Sequence, residues 1–240
     1  MPLDEAGALA VVAVTGIGEV TDGDDLGALL AEAIGAGTLS GRDVVVVTQK
    51  VVSKAEGRLV PLDHDDPGAK TALVERESVR VVRRRGDLLI TETPHGFVCA
   101  NAGVDLSNVA SGWAALLPVD PDRSARRIRA GLHRRLGVRP GVIVSDTFGR
   151  TWRQGVTDVA IGCAGIAGVV DLRGTADATG RELLATQVCV ADEIAGAAEL
   201  VMGKDRSVPA AIVRGVPAAW LRDGSVRAEI VRPAAQDLFR

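Results

Sequence analysis

Residues 142–155 combine side chains that could bind a metal ion and phosphate groups. The loop predicted at Ser145–Arg150 contains a carboxylate at Asp146 and a hydroxyl at Thr147, and Arg153 follows it. Asp146 comes directly after an apolar run that predicts a buried strand, and ligand sites of α/β proteins collect at such strand ends. Carboxylate and hydroxyl oxygens suit a divalent cation that bridges phosphate oxygens, and arginines add bidentate anion contacts. The alternative is that Asp146 only caps a following helix, and this density of polar groups favours a site.

A second segment, Val45–Arg58, places two lysines on a short predicted helix that follows a buried strand. Thr48 is suited to begin this helix and Gly57 to end it. Lys50 and Lys54 are four residues apart and therefore share one helical face. Free backbone N–H groups at a helix N-terminus attract anions, so the segment predicts a polyphosphate site. A solvated face of paired lysines and glutamates is an equally open alternative.

A third segment, Asn101–Asn108, gathers oxygen-bearing side chains in a glycine-containing loop. Asp105 and Ser107 lie near its centre, with an asparagine at each end. Such oxygen ligands suit hard cations such as Mg²⁺ or Mn²⁺. Asparagine and aspartate also stabilise ordinary turns, and the segment taken alone favours that simpler interpretation.

The sequence lacks the common signatures of other nucleotide and metal sites. It contains no P-loop pattern. Residues Thr15–Val20 resemble a dinucleotide-binding fingerprint but lack its third glycine, although a glycine-rich turn could still let backbone approach a nucleotide. His64, His95 and His133 have no spacing suited to zinc or to a hydrolytic triad, so neither is predicted.

The composition excludes several classes of protein. The 240 residues carry a formal net charge of -3, contain no Tyr and are only 2% aromatic, which argues against a nucleic-acid partner. The apolar runs are too short to span a membrane, and no signal peptide is recognised, so no membrane partner and a cytoplasmic location are predicted. The odd number of cysteines, without a C-x-x-C pair, predicts reduced thiols at Cys99, Cys163 and Cys189.

Short apolar runs and amphipathic segments predict the elements that would position these residues. The predicted strands are Leu9–Val14, Val44–Thr48, Leu88–Ile90, Val142–Val144, Val188–Val190 and Ala211–Val213. The predicted helices are Asp25–Ile34 after a cap at Asp24, Thr71–Arg84, Ser124–Leu136 with Ser124 as cap and Gly137 as stop, and Glu193–Met202 after a cap at Asp192.

The order of these elements indicates an α+β protein, with mixed sheets and interleaved helices, because strands and helices do not alternate strictly. Thr91–Gly103 and Ala164–Arg181 are rich in glycine and predicted to be irregular. One domain is predicted over residues 1–214, followed by a linker-like tail over residues 215–240.

Four segments of the chain together resemble the F420 γ-glutamyl ligase family, whose members add glutamate to the deazaflavin coenzyme F420. The segments are Val45–Arg58, Ala102–Val109, Ser145–Gly155 and Ala191–Lys204. The resemblance covers essentially the whole chain, in order and with plausible spacing. The tail Ile230–Arg240 is similar to the junction into a flavin-binding reductase-like domain in two-domain actinobacterial relatives.

The resemblance implies a two-lobed fold, an interlocked homodimer and GTP-dependent amide formation. Its substrates would be GTP, L-glutamate and coenzyme F420-0, and its products would include GDP and phosphate. The reaction would pass through an acyl phosphate. Two Mg²⁺ or Mn²⁺ ions per site and a potassium ion would be the cofactors.

The resemblance also assigns roles at matching positions. Asp105 and Asp146, the implied catalytic residues, would hold one divalent cation, and Thr147 would bind a second. Lys204 stands where archaeal relatives carry a glutamine ligand of that second cation, and a protonated lysine cannot be a ligand. The residues implied to contact GTP are Ile17, Gly18, Glu19, Val20, Gln49, Lys54 and Asn108.

Two competing functions use the same loops. A metal-dependent phosphatase or phosphotransferase would release phosphate without requiring glutamate. A non-catalytic GTP-binding module would bind the nucleotide without turnover, and Lys204 is the feature that favours it.

Overall fold

A computed structural model describes residues 8–63 and 65–238, so His64 lies outside the described residues. Its strands are β1 (Ala10–Val14), β2 (Val44–Thr48), β3 (Leu59–Pro61), β4 (Arg80–Arg85), β5 (Leu88–Glu92), β6 (Val98–Ala100), β7 (Trp113–Ala115), β8 (Gly141–Arg150), β9 (Arg153–Ala164), β10 (Val170–Asp171), β11 (Gln187–Val188) and β12 (Ala210–Arg214). Its α-helices are α1 (Leu26–Ile34), α2 (Gln49–Ala55), α3 (Ala69–Arg76), α4 (Pro121–Leu136), α5 (Val190–Met202) and α6 (Val226–Glu229). These elements confirm the predicted α+β class.

A five-stranded mixed sheet with the order β1-β12-β2-β8-β9 forms the centre of the fold. β2 and β8 are parallel, whereas the other neighbours are antiparallel. The consecutive valines Val44–Val47 are fully buried because helices cover both faces of the sheet. α1 and α4 pack on one face and α5 packs on the other. A run apolar at every position is typical of a strand buried on both faces.

Smaller sheets and α3 surround a third apolar cluster next to this core. β3 pairs with β7, and β4, β5 and β6 form a three-stranded antiparallel sheet. Leu73 and Val74 of α3 pack with Leu89 of β5 in this cluster. The loop that carries Asp105 crosses this region, and Asp105 pairs with Ala115 through backbone hydrogen bonds. The cluster thereby fixes the position of that loop.

The largest secondary-structure error concerns the predicted helix Thr71–Arg84. The helix ends at Arg76, and Arg80–Arg85 instead forms strand β4, paired with β5. The strand prediction for Val188–Val190 is also wrong at its end, since Val190 begins α5. In addition, Val98–Ala100 forms a strand inside the segment expected to be irregular.

Three predicted helix starts are shifted, two of them because a different residue, an aspartate in each case, provides the cap. Asp25, rather than Asp24, accepts a hydrogen bond from the Ala28 N–H at the start of α1. α4 begins at Pro121 after Asp120, a cap followed by proline in the first turn. α5 begins three residues before the predicted start, so Asp192 lies in its first turn. Gly137 ends α4 in a left-handed conformation, which confirms the predicted stop.

Helices α1 and α4 approach each other most closely at two glycines. A Cβ atom placed on Gly27 would lie 2.6 Å from the Gly131 Cα, and one placed on Gly131 would lie 2.7 Å from the Gly27 Cα. Real Cβ atoms do not approach backbone this closely. The absence of a side chain at both positions therefore allows the helix backbones to touch.

Part of the predicted tail packs on the core. Val216 and Val226 are buried in the cluster that also contains α5. Asp122 at the start of α4 accepts hydrogen bonds from the N–H groups of Cys163, Val226 and Arg227 at 2.8, 3.0 and 3.2 Å. It also accepts one at 2.7 Å from the Ser225 hydroxyl. This carboxylate therefore joins α4, β9 and α6. The predicted boundary between a domain over residues 1–214 and a tail over residues 215–240 stays a prediction.

The two-lobed form, the homodimer and the cytoplasmic location also stay predictions. Within residues 8–63 and 65–238, every helix is too short or too polar to cross a membrane. The thiols of Cys99, Cys163 and Cys189 are all free, as predicted.

The ion pair between Asp43 and Arg214 predicts a loss of stability in acid. The buried Asp43 carboxylate accepts two hydrogen bonds from the Arg214 guanidinium, at 2.8 and 2.9 Å. Burial acts to raise the pKa of Asp43, but these bonds and the Ser40 N–H leave it below its ordinary value. The carboxylate therefore stabilises the fold above about pH 4, and this stabilisation is lost as the pH falls through its lowered pKa.

We expect Asp43→Asn to lower the free energy of unfolding by about 2 kcal/mol at pH 7. The deficit relative to the unsubstituted protein should shrink towards pH 3, as followed by urea denaturation. A deficit that does not change with pH would contradict the assignment.

Candidate active site

The site lies where strand β8 continues beyond its neighbour β2. The pairing of β2 with β8 ends at Thr48 opposite Ser145, whereas β8 runs on to Arg150 beside β9. The predicted loop at Ser145–Arg150 is therefore strand, and Asp146 lies within it instead of after it. The alternative in which Asp146 caps a helix is likewise wrong, because a hairpin follows. Beyond Ser145, where β2 no longer pairs with β8, the edge of β8 faces a cleft.

This cleft has a volume of about 570 Å³ and collects every residue implied to bind GTP or a cation. These residues come from four separate parts of the chain: Ile17, Gly18, Glu19, Val20, Gln49, Lys54, Asp105, Asn108, Asp146 and Thr147. Lys204, which stands where relatives carry a glutamine ligand, lines the same cleft. Arg150 and Arg153 are exposed in the β8–β9 hairpin and are not among the described lining residues. The structure thus brings the three predicted segments together, while the individual roles stay predictions.

The first turn of α2 brings Lys50 next to Asp105. Lys50 Nζ lies 2.8 Å from a carboxylate oxygen of Asp105 and donates a hydrogen bond to the Ser107 hydroxyl, also at 2.8 Å. Burial acts to raise the pKa of Asp105, but the hydrogen bonds from Lys50 and Ser107 hold it below its ordinary value. Asp105 is therefore ionised at neutral pH, and Lys50 balances its charge.

One turn further along α2, Lys54 crosses the cleft and forms an ion pair with Glu19. The Lys54 side chain is only 12% exposed, whereas that of Glu19 is 77% exposed. Gln49 is buried, and its side-chain amide donates hydrogen bonds to the Ser53 hydroxyl and to the Leu116 carbonyl. Its N–H₂ group is therefore engaged within the protein, and Lys54 is the better placed of the two for a nucleotide.

Asp146 lies in the most acidic part of the cleft. Burial and the charges of Asp158 and Asp105 raise its pKa to about 7, although Lys204 acts in the opposite direction. Burial and the charge of Asp158 also raise the pKa of Glu199 on α5. Carboxylates that repel one another in this way are stabilised by a cation.

Sequence reasoning missed Asp158 and Glu199, which both line the cleft. Asp158 on β9 is only 3% exposed and accepts hydrogen bonds from the hydroxyls of Ser145 and Thr147, at 2.8 and 2.6 Å. A signal was present in the sequence, since Asp158 interrupts an apolar run that ends in the core. A buried carboxylate in such a run needs hydrogen-bond donors, and these donors lie on the neighbouring strand β8.

Asn108 and Lys204 both line the cleft and are in contact with each other. The Asn108 side-chain amide donates a hydrogen bond to the Lys204 carbonyl at 3.4 Å, and Asn108 adopts a positive φ of 53°. Asparagine tolerates this conformation better than most residues. The contact joins the Asp105 loop to the segment after α5.

The donor atoms of the cleft fit a divalent cation that completes its coordination with a ligand. No three His, Cys, Asp or Glu side chains within residues 8–63 and 65–238 converge closely enough to hold a metal by themselves. Mg²⁺ is commonly bound by one or two carboxylates together with substrate phosphates, so a full protein cage is not required. The lining also has an excess of negative charge, with carboxylates at Glu19, Asp105, Asp146, Asp158, Glu199 and Asp205 and ammonium groups at Lys50, Lys54 and Lys204.

Comparisons with known proteins agree with the resemblance. The family model described as F420-0:Gamma-glutamyl ligase matches residues 16–215. The coenzyme F420:L-glutamate ligase of Methanothermobacter thermautotrophicus is 42% identical over 250 residues, an alignment that covers 97% of this chain and 99% of that protein. The protein of the same name from Methanopyrus kandleri is 44% identical over 92% of this chain and 94% of its own.

A third relative from another organism extends this pattern. The coenzyme F420:L-glutamate ligase of Methanococcus maripaludis is 38% identical over 88% of this chain and 90% of its own. The family model spans most of the chain and all of the cleft-lining segments. The chain therefore belongs to the F420-0:gamma-glutamyl ligase family.

Proposed function

We propose that this protein joins L-glutamate to coenzyme F420-0 through an amide, with GTP as co-substrate, and that it can add further glutamates in γ-linkage. The observation that supports the proposal most directly is the single cleft lined by all residues implied to bind GTP or cations. The names of the aligned relatives, which are F420:L-glutamate ligases, supply the substrates.

The proposed chemistry has two displacement steps. A carboxylate does not condense with an amine in neutral water because its oxygen is a poor leaving group. An oxygen of the acceptor carboxylate therefore attacks the γ-phosphorus of GTP, and the bond to the β-phosphate oxygen breaks to release GDP. The glutamate amine then attacks the acyl carbon, loses a proton and displaces inorganic phosphate to leave the amide.

The side chains of the cleft would orient the nucleotide and offset its charge. Lys54 supplies a nearly buried ammonium group at the α2 side of the cleft, and Lys50 lies one turn before it. Asp105, Asp146 and Thr147 would hold Mg²⁺ or Mn²⁺, which when bound offsets charge on the phosphate oxygens. No covalent enzyme intermediate is required by this scheme.

Mass spectrometry of the acceptor tests the proposal directly. Coenzyme F420-0 incubated with the protein, GTP, glutamate and Mn²⁺ should gain the mass of one or more glutamate residues. Omission of glutamate or GTP should abolish the gain. An acceptor of unchanged mass under all conditions, with folded protein, would refute the ligase function.

GDP release distinguishes the two competing functions. A phosphatase or phosphotransferase would release GDP or phosphate at the same rate with and without F420-0 and glutamate. A non-catalytic module would bind GTP and release no GDP in any mixture. The ligase should release GDP only when the acceptor is present.

Lys54→Ala should weaken GTP binding by about 10- to 100-fold, because a charged hydrogen bond contributes about 1.5–3 kcal/mol. The variant also leaves the Glu19 carboxylate without its ammonium partner. Calorimetric titration measures the dissociation constant. Lys70→Ala, on α3 away from the cleft, is the matched control. Equal GTP affinity in the Lys54 variant and the control would contradict the role of Lys54.

The proposal includes a homodimer, and the edge strand β4 supports it. All six residues of Arg80–Arg85 are exposed, including Val81 and Val82, and Val79 before them is exposed as well. An exposed edge strand with apolar side chains is suited to pair with another chain. Light scattering after size-exclusion chromatography would report the mass of the assembly.

A further inference from the structure

A pair of hydroxyl groups on β8 shares one buried carboxylate on β9. Ser145 and Thr147 are two residues apart and point to the same face of the strand, and Thr147 is directly opposite Asp158. The Ser145 hydroxyl donates to Oδ2 of Asp158 at 2.8 Å, and the Thr147 hydroxyl donates to Oδ1 at 2.6 Å. Each carboxylate oxygen therefore receives one hydroxyl proton.

The backbone holds this arrangement in place. The pairing of β8 with β9 shifts between Val144 and Ser145, so that Ser145 faces Ala160 and Ile161 is left over. Next to this bulge, the Asp192 carboxylate of α5 accepts a hydrogen bond from the Ala160 N–H at 2.9 Å. The bulge and this contact with α5 fix the strand register that places Asp158 opposite Thr147.

The direction of the Thr147 proton matters for what its oxygen can bind. A hydroxyl has one proton and two lone pairs. Because its proton is directed to Asp158, the Thr147 oxygen keeps its lone pairs for other partners, and Thr147 lines the cleft. A hydroxyl whose proton pointed into the cleft would instead repel a cation.

We propose that Asp158 is a positioning residue that fixes the Thr147 hydroxyl as an acceptor towards the cleft, so that Thr147 can bind a divalent cation. The inference rests on the proposed function, because it assumes that the cleft takes a divalent cation. It adds a residue outside the set implied by the resemblance, and it acts through Thr147 without itself contacting the nucleotide. Substitution of a residue that hydrogen-bonds to a metal ligand typically lowers metal affinity by about 10- to 100-fold.

Asp158→Asn is the informative substitution because it keeps the shape of the side chain. Only one of its two polar atoms can accept a hydrogen bond, so Ser145 or Thr147 must face an N–H₂ donor. The affinity for Mn²⁺, measured by electron paramagnetic resonance in the presence of GDP and without turnover, should fall about 10- to 100-fold. Thr147→Val should weaken Mn²⁺ binding to a similar extent.

The double variant Asp158→Asn/Thr147→Val separates positioning from direct ligation. If Asp158 acts through Thr147, the double variant should bind Mn²⁺ no more weakly than Thr147→Val alone. Additive losses would show that Asp158 is itself a ligand and would overturn the inference. Asp122→Asn, a buried carboxylate remote from the cleft, controls for general destabilisation and should leave Mn²⁺ affinity unchanged while the protein is folded.

The outcomes also separate this inference from the proposed function. Mn²⁺ binding by the unsubstituted protein together with unchanged affinity in folded Asp158→Asn would overturn the inference and leave the ligase proposal intact. If Asp158→Asn lowers the melting temperature without changing the Mn²⁺ affinity, the inference is likewise overturned and the ligase proposal stays intact. Absence of Mn²⁺ binding to the unsubstituted protein would overturn both.

Discussion

Asp146→Asn is expected to reduce GDP release about 10³-fold while leaving the fold intact. The substitution keeps the size of the side chain but removes a carboxylate from the centre of the cleft, where burial and two neighbouring carboxylates raise its pKa to about 7. A cation that binds there would stabilise charge developed on the phosphate oxygens by several kcal/mol, and about 1.4 kcal/mol corresponds to a factor of ten in rate. The rate is measured with F420-0, GTP, glutamate and saturating Mn²⁺.

The fold of this variant should survive because the neutral amide no longer repels Asp105 and Asp158. Its melting temperature should therefore equal or exceed that of the unsubstituted protein. Asp87→Asn, in the exposed turn between β4 and β5, removes a carboxylate elsewhere and serves as the control. Normal GDP release by Asp146→Asn at saturating Mn²⁺ would exclude Asp146 as a required group.

Asp122→Ala is expected to give the largest loss of stability, about 3–5 kcal/mol. Four donors around this carboxylate lose their acceptor, and they lie in β9 and at the start of α6. The Asp122 side chain would also cease to offset the N-terminal dipole of α4. For a chain of this length, the melting temperature should fall by about 10 °C.

Circular dichroism with urea and thermal unfolding would measure this change. Asp122→Asn retains one acceptor oxygen for the Cys163 and Val226 N–H groups, so it should lose less than the alanine variant. Limited proteolysis should cleave first after β12, because α6 loses its attachment to α4. Equal stability of the alanine variant and the unsubstituted protein would show that these hydrogen bonds contribute no net free energy.

The elements that bear the site were predictable where local signals and tertiary packing agree. β2 was predicted at its observed bounds because four consecutive valines are typical of a strand that buries side chains on both faces. The strand before Asp146 was predicted but ended too early. Its extension to Arg150 depends on pairing with β9, and hairpin pairing beyond the apolar run has no local signature.

The failure at Arg80–Arg85 has a similar cause. Alternation of apolar and polar side chains is absent there, and the basic residues resembled a favourable last turn of a helix. β4 is instead held by its backbone pairing with β5 and by ion pairs from Arg80 to Glu92 and from Arg84 to Glu75. Partners in another element decide the conformation of such a segment.

The sequence predicted many of the residues that line the cleft, but it missed residues that support them. Asp146 was singled out because it lies in a dense polar segment, whereas Asp105 and Lys54 were assigned roles through the resemblance, and all three roles stay predictions. Asp158 stands alone among apolar residues, and only the position of Thr147 on the neighbouring strand explains it. Support of this kind becomes visible once strand register is known.

The contact between Gly27 and Gly131 limits how this protein can be made more stable. Replacement of a helical glycine by alanine usually gains about 1 kcal/mol, so an engineer would choose both sites early. Here each new methyl group would meet the backbone of the other helix, which no rotamer change can relieve. Alanine at either position should therefore destabilise the protein, and random libraries selected for heat resistance should retain both glycines.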